Sequence, residues 1–132
     1  MLARILISLG VCIFAVIVPV LEINVSHVFN PDWPAHARFH EVWQLFTNCG
    51  IGLLCLWLTW LKNNVRLASV LIVLVMGGVL FAHATETFYG GSVLSGNLSK
   101  TLLGLELAAF AACLAIVFAM VAAVLDMRSK VQ

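Results

Sequence analysis

Four apolar runs, each close to the length of a bilayer crossing, constrain this chain more than anything else in it. They cover residues 2–21, 40–61, 67–88 and 101–125. A helix rising about 1.5 Å per residue needs about 20 residues to cross the hydrocarbon core. Inside that core every backbone N–H and C=O must be paired within the protein, and a helix does this within one segment. The fold class expected is therefore all-α, an integral membrane four-helix bundle made by a single domain over residues 1–132. The composition agrees: 63% of the residues are apolar and 10% charged, well outside the range of a soluble domain.

The first run follows Arg4, as a secretory signal would follow a basic n-region. It is longer than an ordinary h-region, has no small-x-small cleavage site and ends in Pro19-Val-Leu-Glu22, so it is read as a retained first span. Basic residues are unevenly placed. Arg4, Lys62, Arg66, Arg128 and Lys130 fall on one side of a four-span arrangement, Arg38 and Lys100 on the other. The positive-inside rule then puts both termini and the 62–66 turn in the cytoplasm, in a bacterial inner membrane or a eukaryotic secretory one. With a net charge of +1, nucleic acid is not an expected partner. Cys12, Cys49, Cys55 and Cys113 all lie in apolar runs without a Cys-x-x-Cys pair, which disfavours thiol-redox chemistry.

Polar residues concentrate at one level. Span one ends with Pro19, which frees a carbonyl for a neighbour to satisfy. The loop after it carries His27 and the turn Asn30-Pro31-Asp32, and helix two is expected to begin near Pro34. On that helix His36, His40, Trp43 and Thr47 share a face by i, i+4, i+7, i+11 spacing, flanked by Glu41, Gln44 and Asn48. Helix three contains Gly77-Gly78, a place for another backbone to approach, and ends with His83, Glu86 and Thr87 on one face. A glycine- and serine-rich loop, expected to be mobile, precedes helix four. Ser99 is its expected cap, and Glu106 is placed about two turns inside it, beside Leu102, Ala109 and Cys113.

Because successive spans alternate direction, Glu22, His36, His40, Glu41, His83, Glu86 and Glu106 share the outer leaflet. His40, His83 and Glu106 fall at a common depth, roughly 9–10 Å from their helix ends. An ionised acid at mid-span costs about 2.5–3.5 kcal/mol on insertion scales. Such residues are kept where they pair, bind a ligand or line water; the bland reading is contact of the edge residues with headgroups. Three chemistries suit the cluster. His36, His40 and His83 offer ligands for a divalent metal or a haem. His83 with Glu86 suits acid–base work on an apolar substrate, with Glu106 and Asn48 orienting it. A proton relay for transport is the third, though no polar residues line the inner half.

The run Trp33-Pro-Ala-His-Ala-Arg-Phe-His40 resembles one in a family of short bacterial and fungal membrane proteins. More distantly, this run together with Val65-Arg66-Leu67 leading into Leu71-Ile72-Val73-Leu74 resembles styrene oxide isomerase, over about the central half of the chain. That resemblance implies a homotrimeric four-span enzyme whose ferric haem b opens an epoxide to a carbonyl compound as a Lewis acid. It places the haem histidine at His36 or His40. The family's active-site tyrosine falls at His83 here, and its asparagine after the ligand histidine finds a counterpart only in Asn48, at a different spacing.

The expectation is thus a membrane isomerase acting on an apolar small molecule, with catalytic His83, Glu86, Glu106 and Asn48 and with His36 or His40 holding haem b or a metal. The alternatives are a non-catalytic anchor subunit binding haem or quinone, and a small proton-coupled transporter. Asn24-Val-Ser26 and Asn97-Leu-Ser99 match glycosylation acceptors.

Overall fold

In the computed structural model, which describes residues 1–94 and 101–129, the chain is mostly helical. It runs α1 (Leu2–Cys12), a π-helical turn (Ile13–Ile17), α2 (Val18–Glu22), α3 (Ala35–Trp60), α4 (Val65–Tyr89), a short hairpin of β1 (Thr101–Leu102) and β2 (Leu105–Glu106), and α5 (Leu107–Ser129). The first three segments form one continuous rod, Leu2–Glu22. With α3, α4 and α5 it makes four helices long and apolar enough to cross a membrane. The expected cap Ser99, the acceptor Asn97, Lys100 and Lys130 lie outside the described residues.

The first rod departs from regular α-helix where the sequence predicts. Proline lacks an N–H, so Pro19 cannot serve the Ala15 carbonyl four residues back. The Cys49 thiol from α3 donates to that carbonyl at 3.5 Å, and the π turn immediately precedes the proline. A helix turn that takes up an extra residue is a common answer to such a break.

The core is built from small residues on α5 meeting larger ones on α1 and α4. Ala109, Ala112, Ala115, Ala119 and Ala122 are buried along one face of α5, against a cluster that includes Ile7, Val11, Phe14, Ile72 and Met76. Small side chains let helices approach closely, which matters where lipid supplies no hydrophobic driving force. The expected close approach at Gly77-Gly78 does not occur among the described residues: a Cβ at either position would meet none of them within 4 Å. The tight contact is at Gly52 of α3, where a Cβ would stand 2.5 Å from the Ala15 Cβ and 3.2 Å from Val11.

The two ends of the bundle differ in chemistry. At one end Arg4 hydrogen-bonds the Asn63 side chain and lies 5.7 Å from the Trp60 ring. Trp60 Nε1 donates to Ser8 Oγ at 3.1 Å, Lys62 Nζ sits 5.0 Å from the Trp57 ring, and Arg66 pairs with Asp126 at 3.5 Å. The start of α1, the turn between α3 and α4 and the end of α5 are thus tied together. The histidines of the chain and all its acids but Asp126 fall towards the other end.

Helix four begins later than the sequence suggests. Leu103 and Gly104 have φ of 54° and 82°, a two-residue left-handed turn of the kind that closes hairpins. Thr101 pairs with Glu106 and Leu102 with Leu105. Glu106 therefore does not sit two turns into a helix; it ends a strand one residue before α5. Apolar content marked residues 101–106 as span, and the glycine turned the chain instead.

Candidate functional site

The site builds up from α4. Its last turns carry His83 and Glu86 one turn apart, so the imidazole Nδ1 faces the carboxylate at 3.2 Å. Gly90 closes the helix with φ 70°, and the returning chain donates the Val93 N–H to Glu86 Oε2 at 2.8 Å. Glu86 is thus fixed from both sides. The other ring nitrogen of His83 lies 3.4 Å from Glu106 Oε2, brought in by the hairpin. One imidazole bridges two carboxylates, each of the three side chains between 25% and 31% exposed. Each ring nitrogen thus faces a carboxylate oxygen, a geometry in which an imidazole can pass a proton between two acids.

This triad borders a cavity of about 420 Å³ between α3 and α4. Gln44 and Asn48 line it from α3 at i, i+4 spacing, and Gly78, Ala82 and Tyr89 line it from α4. Tyr89 donates its hydroxyl to the Ala82 carbonyl at 2.8 Å. Of the predicted catalytic residues, His83, Glu86 and Asn48 line this one cavity, and Glu106 reaches it through His83. Gly78, which packs against no neighbouring helix, is part of the wall. Tyr89 was not singled out in the sequence. Its only signal was its place on the α4 face that carries Ala82 and Glu86.

The four histidines do not converge. His36 and His40 form their own pair, Nε2 to Nε2 at 3.0 Å, stacked among Phe39 and Trp43 on the exposed side of α3. Neither lines the cavity beside His83 or the larger one next to it. Among the described residues, no three His, Cys, Asp or Glu side chains are gathered to hold a metal ion. His36 and His40 thus stand apart from His83, whose nearest polar partners are the two carboxylates.

His27 has a different partner. It is buried, 7% exposed, with Nε2 at 2.8 Å from Glu22 Oε2, Nδ1 at 2.7 Å from Ser26 Oγ and its ring edge-on to Trp33. Burial holds its imidazole below the ordinary value of 6.5. The loop is knotted locally by Asn24, whose Nδ2 donates to the Leu21 carbonyl at 2.5 Å while Oδ1 accepts from the Ser26 N–H and hydroxyl. The side-chain amide of the first glycosylation acceptor is therefore engaged in its own loop. A comparison with known proteins gives no matching family model, no matching curated relative and no matching solved structure.

Proposed function

We propose that this chain is a membrane-embedded isomerase that moves a proton on an apolar substrate held in the cavity beside His83. The observation that carries this reading is the His83 imidazole bridging Glu86 and Glu106 at a cavity lined also by apolar side chains, two amides and the hydroxyl residues Tyr89 and Ser92. A proton shared along a carboxylate–imidazole–carboxylate line can be given to one atom of a substrate and taken from another without leaving the site. For an epoxide, the imidazolium gives its proton to the ring oxygen as the C–O bond opens. A carboxylate then takes a proton from the neighbouring carbon and returns it to His83, and the enol so formed becomes the carbonyl compound. Protons balance, and no oxidant or reductant is needed. Gln44 and Asn48 hold the substrate oxygen by their amides, and the apolar wall keeps water from the opened intermediate.

In the same proposal both termini and the Lys62–Arg66 turn face the cytoplasm, and the His83 end faces the outer leaflet. What supports this is the gathering of Arg4, Lys62 and Arg66 at one end of the bundle. The test is turnover of an aryl epoxide by the detergent-purified protein, followed by carbonyl product. His83→Ala should lower the rate by about 10²–10⁴-fold, the usual contribution of a general acid–base group, with thermal stability little changed. Full turnover in His83→Ala, or none in the unaltered protein, overturns the reading.

A second reading draws on the exposed His36–His40 pair. A non-catalytic anchor subunit would use these histidines, with Phe39 and Trp43, to hold a haem or quinone against a partner that supplies the other wall. An absorption spectrum of the native complex in both redox states decides it. A Soret band lost in His36→Ala or His40→Ala favours the anchor, and a flat visible spectrum removes its haem form.

A further inference from the structure

The larger cavity, about 540 Å³, opens at the same end of the bundle and adds walls from the first rod and α5. Its walls are apolar: Ile13 and Ile17 of the π-helical turn, and Leu107, Phe110 and Leu114 of α5. Its polar residues are Glu22, His27, Trp33, Glu41, Gln44 and Ser92, and no Lys or Arg is among the described lining residues. It shares Gln44, Val79, Ser92 and Val93 with the cavity beside His83; His83, Glu86 and Tyr89 line only the smaller one.

We propose that this larger cavity is a binding site for a lipophilic organic cation, a molecule with an apolar body and one positive charge. The reason lies in how the carboxylates are held. Glu22 is only 14% exposed in its side chain and is bonded to the His27 ring. Glu41 of α3 lines the same cavity. Burying carboxylates near an apolar wall is costly unless a positive charge accompanies them. His27 does not supply that charge readily, because its own burial disfavours the imidazolium form. A cation entering the cavity would meet both acids and the Trp33 ring, whose π face attracts positive charge. Its apolar body would lie on Ile17, Phe110 and Leu114. An anionic amphiphile would meet two acids and no Lys or Arg among the described lining residues. The volume is that of an ordinary small-molecule site, about 300–1,000 Å³.

The proposal does not depend on the isomerase reading, and the experiment separates them. Calorimetric titration of the full chain in a non-ionic detergent uses two ions of one shape and opposite charge, tetraphenylphosphonium and tetraphenylborate. The expected result is one phosphonium bound per chain and no borate. Glu22→Gln with Glu41→Gln should weaken phosphonium binding by about tenfold or more, the scale of a partly desolvated charge pair. His83→Ala should leave it intact. If the double variant does not fold, Ala108→Phe decides, because it fills the cavity without touching a charge: lost phosphonium binding supports the site, and unchanged binding overturns it. Equal binding of both ions, binding of neither, or phosphonium binding unaffected by loss of both carboxyls also overturns it.

Discussion

At the scale of single residues, the polar end of this bundle is a set of histidines differing in their company. His83 has a carboxylate at each ring nitrogen, His36 and His40 have one another, and His27 has Glu22, Ser26 and near-complete burial. His27 gives a pH prediction with a definite sign. Its folded pKa is depressed, so the folded state binds fewer protons than the unfolded one. Stability from this group is fully present above the unfolded value of 6.5 and is lost as pH falls below it. In thermal melts in detergent, this group should therefore pull the midpoint down as pH falls from 7 to 5. In His27→Gln, which keeps a donor for Glu22 but cannot titrate, that decline should flatten. An unchanged slope would mean that His27 is not the titrating group. The His83–Glu86 pair was legible in the sequence because both lie on one helix, where i, i+3 spacing fixes a face. Glu22–His27 was not, since no periodicity governs a loop that folds back on its helix.

At the scale of elements, two glycines decide more than their size suggests. Gly52 sits where α3 meets the first rod, with Ala15 and Val11 against its backbone. Gly52→Leu should cost about 1–3 kcal/mol by overpacking, read as a lower melting temperature. Gly77→Ala, in open space, should be tolerated. Gly104 is held at φ 82° in the hairpin turn, and a residue with a Cβ pays about 1–2 kcal/mol in that conformation. Gly104→Val should therefore loosen the hairpin that carries Glu106 to His83. Turnover should fall while the melting temperature changes little, because α5 and its alanine face are untouched; turnover unchanged would show that Glu106 is dispensable. The sequence pointed to Gly77-Gly78 instead of Gly52 because a paired small motif names a possible contact. Which helix face is turned inward is settled by its neighbours.

At the scale of the molecule, charge and polarity divide between the two ends. The proposed orientation makes a labelling prediction. In a cysteine-free background, single cysteines at Asn63 and Ser129 should react with an impermeant maleimide only when the cytoplasmic face is exposed. A cysteine at Asp32 should react only from the opposite face. The reverse pattern would invert the bundle and turn its His83 end to the cytoplasm. A further check is the triple reversal of Arg4, Lys62 and Arg66 to Glu, which should scramble this sidedness by reversing three of the five basic residues on that side.

The sequence by itself determined the four helices, because their apolar length and the need to pair every backbone group in hydrocarbon leave few other solutions. It also determined the position of the break near Pro19, because a missing N–H is a local fact. Only the tertiary structure decided that Glu106 leaves the fourth helix to meet His83, that His36 and His40 stay on the exposed side of α3, and that Glu22 and His27 close on each other beside a second cavity. These depend on a left-handed turn and on which helix faces meet, and both are fixed by contacts between residues far apart in the chain.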